Sequence, residues 1–258
     1  MSVAPSPSPR PPRAGDAPAV ALAASDGSSG LAGDPAGALA VDLLLQRQKR
    51  PLLRGVSHQV SFFLAMPLLY WLVRSARSPA AAACAAVYAA TLLLLLGTSA
   101  SYHRILWAPS ARARMKRIDH SAIFLLIAGT YTPICLLAVG GTTGSLLGAV
   151  IWLGALLGIA QTLFWPGAPR WLHVGIYVVV GWAGAFGLLG ELRSIGATGV
   201  SWHVAGGVLY TLGALIYARK RPDPWPRVFG YHEIFHLLVV LACGCLFEVV
   251  RRCLALPV

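Results

Sequence analysis

The chain has 258 residues, of which 57% are hydrophobic and 12% charged, about half the charged share of a typical soluble domain. Its mean hydropathy is +0.67. A soluble fold of this length needs a charged surface that this composition does not supply, and the net charge of +12 is spread between apolar runs rather than gathered on one basic face. These figures exclude a cytosolic enzyme, a nucleic-acid binder and a disordered chain, and they point to an all-α integral membrane protein.

Residues 1–40 are rich in Pro, Ala, Ser and Gly, begin SVAPSPSPRPPR, and lack aromatics and any apolar period. They are expected to form a disordered tail. Prolines interrupt the start, so it does not read as a signal peptide. A short helical piece, Leu39 to Gln48, is expected at the membrane surface. Over residues 41–258, seven apolar segments follow at about 56–74, 80–103, 118–139, 143–164, 171–190, 201–218 and 230–250. Each is near the ~20 residues that carry a helix across a ~30 Å hydrocarbon core. Lipid leaves strand edges unpaired, so helix is the only assignment. The connections are short and hold the Pro and Gly, which predicts antiparallel neighbours in one bundle. Pro67 and Pro133 fall inside helices and are expected to kink them. The five cysteines lie in or beside apolar runs with no CxxC pair and read as small packing residues.

Basic residues set the orientation. Arg74, Arg77, Arg193, Arg251 and Arg252 are alone on one side, which leaves sixteen of the 21 on the side holding the N-terminus and the loops 2–3, 4–5 and 6–7. The positive-inside rule then places the N-terminus in the cytoplasm and the C-terminus outside. That sense is opposite to the G-protein-coupled receptors, which also have seven helices.

Ionisable groups inside a membrane are costly and have a task or a partner. His103 ends helix two, and Asp119 and His120 open helix three. His232 and His236 lie in the first turns of helix seven. All of these fall on the cytoplasmic side. His232 and His236 are four apart and share a helix face, a separation at which two imidazoles bind one metal. Ser99 lies one turn deeper than His103 on the same face. Three imidazoles from two helices would leave one position of a tetrahedral Zn²⁺ open for water. Asp119 is the acid placed to orient or deprotonate that water, and Glu233, about 100° around the helix from His232, is the weaker candidate.

Plainer readings stand beside these. His58 and His173, which open helices one and five, and His203 on the outer side read as interfacial polar residues. His120 faces away from Asp119. Ser99 alone reads as a packing residue or a hydroxyl bonded back to its helix. The Arg104–Arg117 run reads as a topology determinant, and Trp107, Trp165, Trp171, Trp202 and Trp225 as an interfacial belt.

The runs GTSASYHR, RIDHSAIFLLIAGTYTPICL and FGYHEIFHLLVVLA together resemble the hemolysin III family, within the larger group of progestin and adipoQ receptors that includes the adiponectin receptors. KRPLLRGVSHQVSFF resembles the start of helix one in bacterial members. The resemblance runs from about Lys49 to Cys253 and leaves the Pro/Ala-rich tail uncovered. It implies a seven-helix bundle in the plasma membrane with its N-terminus inside, and a zinc held by His103, His232 and His236. Asp119 would hold the zinc-bound water, with Ser99 behind the ligands. The adiponectin-receptor branch implies hydrolysis of a lipid amide such as ceramide, whereas the name of the bacterial branch implies a pore-forming, cytolytic activity. A lipid sensor with structural zinc is the third implied role. Membrane lipids are the expected partners in each.

Overall fold

The computed structural model describes residues 35–257. The expected disordered tail lies outside the described residues up to position 34. Its last residues instead open a helix, α1 (Pro35–Lys49), in which Gln46 Nε2 donates to Asp42 Oδ2 at 2.6 Å one turn earlier.

From Lys49 onward the chain forms one helical unit. α2 spans Val56–Arg74, α3 Pro79–Arg104 and α4 Pro109–Pro133. Proline at the first helical position starts both α3 and α4, where its missing N–H costs nothing. At α3 the Ser78 side chain also accepts from Ala81 N–H at 3.1 Å. α4 begins well ahead of the apolar stretch read from hydropathy, because ARARMKRI between Pro109 and Asp119 has good helix formers and no break. After Pro133 the helix widens into a π turn, Ile134–Val139, where the missing proline N–H and the bulk of its ring disturb the regular ladder. α5 spans Gly141–Phe164.

α6 (Arg170–Trp182) passes through a 3₁₀ segment, Ala183–Gly187, into α7 (Leu188–Arg219). Together they form an apolar helical stretch of 50 residues, about 75 Å at helical rise and too long for a single ~30 Å core. Gly196 breaks it with φ 71° and ψ 176°, a conformation open to glycine and strained for other residues. Divided there, the six long apolar helices give seven passes, with α8 (Tyr231–Leu254) last. No strand occurs among the described residues, and one isolated bridge pairs Trp225 with Phe229.

α3, α4 and α8 form the centre. Half or more of their apolar stretches is buried (50%, 61% with the π turn included, and 50%), against 17% for α2 and 22% for α5. The outer helices turn Phe63, Leu64, Leu153 and Leu157 outward, as suits a protein whose solvent is hydrocarbon. One buried cluster gathers Tyr88, Leu92 and Leu96 with Leu126 and Val239, and another gathers Phe124, Ile134, Ile151 and Val249. This is a multi-pass, all-α membrane protein.

Candidate functional site

Three chain segments are laced together at one end of the bundle. Leu52 N–H and Leu53 N–H, before α2, donate to the carbonyls of Arg227 and Val228, before α8, at 3.0 and 3.1 Å. Arg50 Nη1 donates to the carbonyls of His103 and Ile105 at 3.1 and 2.8 Å, satisfying acceptors that the end of α3 leaves open. Burial pulls the Arg50 guanidinium below its ordinary value, and the Arg112 charge adds to this. Gly55, with φ 77°, lies so close to α3 that a Cβ there would stand 2.6 Å from His103 Cβ. These contacts hold the starts of α2 and α8 against the end of α3.

His103, His232 and His236 meet there. Each offers a nitrogen within 4.8 Å of the others. The ring centroids are 4.8 Å apart for His103 and His232, 4.9 Å for His103 and His236, and 4.6 Å for His232 and His236. The Nε2 atoms of His103 and His232 are 3.2 Å apart. Two nitrogens bound to one Zn²⁺ at ~2.0–2.1 Å with a tetrahedral angle are about 3.3 Å apart. The outer span of the group, up to 4.8 Å, is wider than that edge. His236 is buried, and its Nδ1 has no partner. A buried set of neutral nitrogen donors suits a divalent ion, and these residues fit one.

Asp119 and Ser99 line the same cavity as the three histidines. Both are buried, with Asp119 at 7% and Ser99 at 2% exposure. Glu233 is committed elsewhere. Its Oε2 accepts from Gly230 N–H at 2.8 Å and its Oε1 from Arg54 Nε at 2.5 Å, so it caps α8 and ties it to the segment before α2.

The cavity has a volume of about 630 Å³, and all seven histidines line it. Arg50, Arg54, Arg112, Lys116, Arg117 and Arg170 stand around one end, while Ile123, Leu126, Ile127, Val174 and Val204 form apolar wall beyond. His58, His173 and His203 are buried within the bundle. His58 stacks on His236 with centroids 4.0 Å apart, and neither of its ring nitrogens has a partner. Its sequence signal was only a histidine at the start of a helix. His120 turns toward His173, with centroids 6.1 Å apart. His203 joins Glu191 and Tyr131 in a separate buried group, of which the sequence analysis had identified His203 alone and read it as interfacial.

Comparison with known proteins places this architecture. The profile of the family described as haemolysin-III related matches residues 46–247. The chain is 29% identical over 213 residues to the hemolysin-3 homolog of Bacillus subtilis (strain 168), covering 81% of this chain and 97% of that protein. It is 30% identical over 209 residues to hemolysin-3 of Bacillus cereus, covering 79% and 91%. A more distant likeness, 28% over 170 residues, links it to the adiponectin receptor protein of Drosophila melanogaster, covering 58% of this chain and 38% of that one. A profile match that takes in all three site-bearing helices, with full-length likeness to the two Bacillus proteins, makes this chain a member of the hemolysin III family, in the wider group that contains the adiponectin receptors.

Proposed function

We propose that this protein is a zinc-dependent hydrolase working within the membrane on a lipid amide of the ceramide type. The observation that carries the reading is the meeting of three imidazoles, Asp119 and Ser99 in one largely apolar cavity. A Zn²⁺ held by His103, His232 and His236 would acidify a water toward pKa ~7 and polarise a carbonyl. Asp119 acts as general base and accepts the proton from the attacking water at a carboxylate oxygen. It returns that proton to the amide nitrogen as the C–N bond breaks, leaving a fatty acid and an amine. Ser99 orients the Asp119 carboxyl. The apolar wall takes the acyl chain and limits water to what the reaction consumes. A site within a transmembrane bundle admits a substrate that diffuses in from the bilayer.

The test combines metal analysis with an assay. Purified wild type is expected to carry stoichiometric zinc by mass spectrometry and to release fatty acid from one or more members of an amide-lipid panel. Asp119→Ala is expected to keep zinc and lose turnover. Stoichiometric zinc with no cleavage across the panel counts against the reading.

A lipid sensor with structural zinc is the second reading. It draws support from the tie that His103 and His232 make between α3 and α8 and from the likeness to a protein named an adiponectin receptor. In that case chelation lowers thermal stability and no substrate is turned over. Dye release from liposomes that persists after alanine replaces all three histidines would instead favour a pore, the activity that the name hemolysin-3 suggests for the relatives.

A further inference from the structure

A second polar group lies far from the three-histidine group and shares no residue with it. His203 is sixteen residues before Arg219, the end of α7, about 24 Å of helix, whereas His232 opens α8 just across the turn. His203 Nδ1 is 2.7 Å from Glu191 Oε2, and His203 Nε2 is 2.9 Å from Tyr131 Oη. Tyr131 Oη also donates to the Gly181 carbonyl at 2.7 Å. Glu191 is fully buried, and its Oε1 has no partner. The ionisable groups around Glu191 are His203 of α7, Tyr131 of α4, Cys135 of the π turn and Cys253 of α8. Ser194, one turn on, spends its hydroxyl on the carbonyls of Ala138 and Gly190. An acid at this depth has a neutral imidazole or an imidazolium as its partner, and such groups mark functional sites by default.

Proton counting limits the group to two states. The Gly181 carbonyl only accepts, and a phenol has one proton to give. While Tyr131 donates to Gly181, His203 must donate to Tyr131 through Nε2. Its Nδ1 then faces Glu191 Oε2 at 2.7 Å, a distance that requires one shared proton between them. If that proton leaves to water in the cavity, the remaining imidazole proton moves to Nδ1 to meet the carboxylate. Tyr131 then turns its O–H to Nε2, and Gly181 loses its donor. The phenol ring itself is fixed, because it occupies the place where a Cβ on Gly184 would stand. Gly181, Trp182 and Ala185 line the cavity beside Tyr131 and His203.

We propose that Glu191, His203 and Tyr131 form an intramembrane proton-binding site, with one proton held between Glu191 and His203 and its occupancy passed to the cavity wall through Tyr131 and Gly181. The ligand is the proton, and the site is independent of any metal at the other end of the cavity.

Infrared difference spectra of the purified full chain in lipid nanodiscs, stepped between about pH 5 and about pH 8, read both partners. The wild type is expected to show a carboxyl signal and a tyrosine signal that change together with pH. Glu191→Gln is expected to lose the tyrosine change and the part of the carboxyl change that accompanies it. Tyr131→Phe keeps the ring and is expected to lose the tyrosine change while retaining a carboxyl change with a shifted midpoint. A wild type with no pH-dependent tyrosine signal overturns the proposal, and so does a tyrosine change that survives Glu191→Gln. Should Glu191→Gln fail to fold, the wild-type and Tyr131→Phe spectra decide the matter: a carboxyl change identical in every component in both overturns it.

Discussion

The Nε2 atoms of His103 and His232 face each other at 3.2 Å across 129 residues of chain. Two neutral imidazoles meet in this way either by sharing one proton or by sharing one ion. A shared proton makes no use of His236, although His236 offers a nitrogen within 4.8 Å of both. A shared ion uses all three and converts a close approach of acceptor lone pairs into bonds. Either arrangement links α3 to α8, two of the three central helices, but only the second also engages His236.

Metal removal is therefore expected to loosen the bundle. An ion present at about a hundredfold its dissociation constant stabilises the folded state by about 2.7 kcal/mol. Chelator treatment of purified wild type is expected to lower Tm, and His232→Ala is expected to start lower and not respond. The comparison is made by thermal denaturation in one detergent, with and without chelator. Equal falls in the two proteins would remove the histidines from the metal site.

The Arg54–Glu233 pair has unequal partners. The Glu233 side chain is 3% exposed and that of Arg54 21%. Arg54→Ala strands a buried carboxylate and is expected to cost about 3 kcal/mol, near the low end for a broken buried pair because Arg54 still touches solvent. Glu233→Gln removes the charge and keeps an acceptor for Gly230 N–H, so it is expected to cost less. Denaturation midpoints of the two variants test this order. A larger loss for Glu233→Gln would show that the pair, rather than the uncompensated charge, carries the energy.

Depth was legible in the sequence, while lateral contacts were only partly so. Short connections and apolar lengths place Ser99, His103, Asp119, His232 and His236 toward one end of the bundle, because each sits near the same end of its helix. The burial of His58 was not legible. It depends on backbone pairing of Leu52 and Leu53 with Arg227 and Val228, and such pairing between two loops leaves no side-chain pattern. Glu191 was missed for another reason. Its segment was read as ending at 190, but the helix that resumes after the 3₁₀ turn runs past 190 to Gly196, which keeps Glu191 inside the bundle. The readable signal was an acid and a histidine on either side of a glycine in an apolar run.

His58 separates a packing role from a ligand role. Both ring nitrogens are buried without partners, and an unsatisfied buried polar group costs about 1–3 kcal/mol. His58→Phe keeps a flat ring over His236 and removes that cost, so it is expected to fold at least as stably as wild type. Zinc content is expected to stay stoichiometric. A variant that is stable but metal-free would make His58 a fourth ligand and leave no open position for water.

Gly55 tests whether the seating of the site depends on a backbone contact rather than on side-chain chemistry. Alanine there meets two penalties. A φ of 77° places a Cβ in the left-handed region at a cost of about 1–2 kcal/mol, and the added carbon stands 2.6 Å from His103 Cβ, closer than packed carbons approach. The second penalty is relieved only if the start of α2 and the end of α3 move apart. That movement carries the His103 ring away from His232 and also strains the Arg50 contacts to the carbonyls of His103 and Ile105. Gly55→Ala is therefore expected to weaken metal binding about 10–100-fold, the range seen when the support of a ligand is disturbed, while the helices still form. Competition with a chromophoric chelator gives the affinity, and circular dichroism reports the helices. Wild-type affinity in a fully helical Gly55→Ala protein would mean that His103 reaches the ion without this close approach.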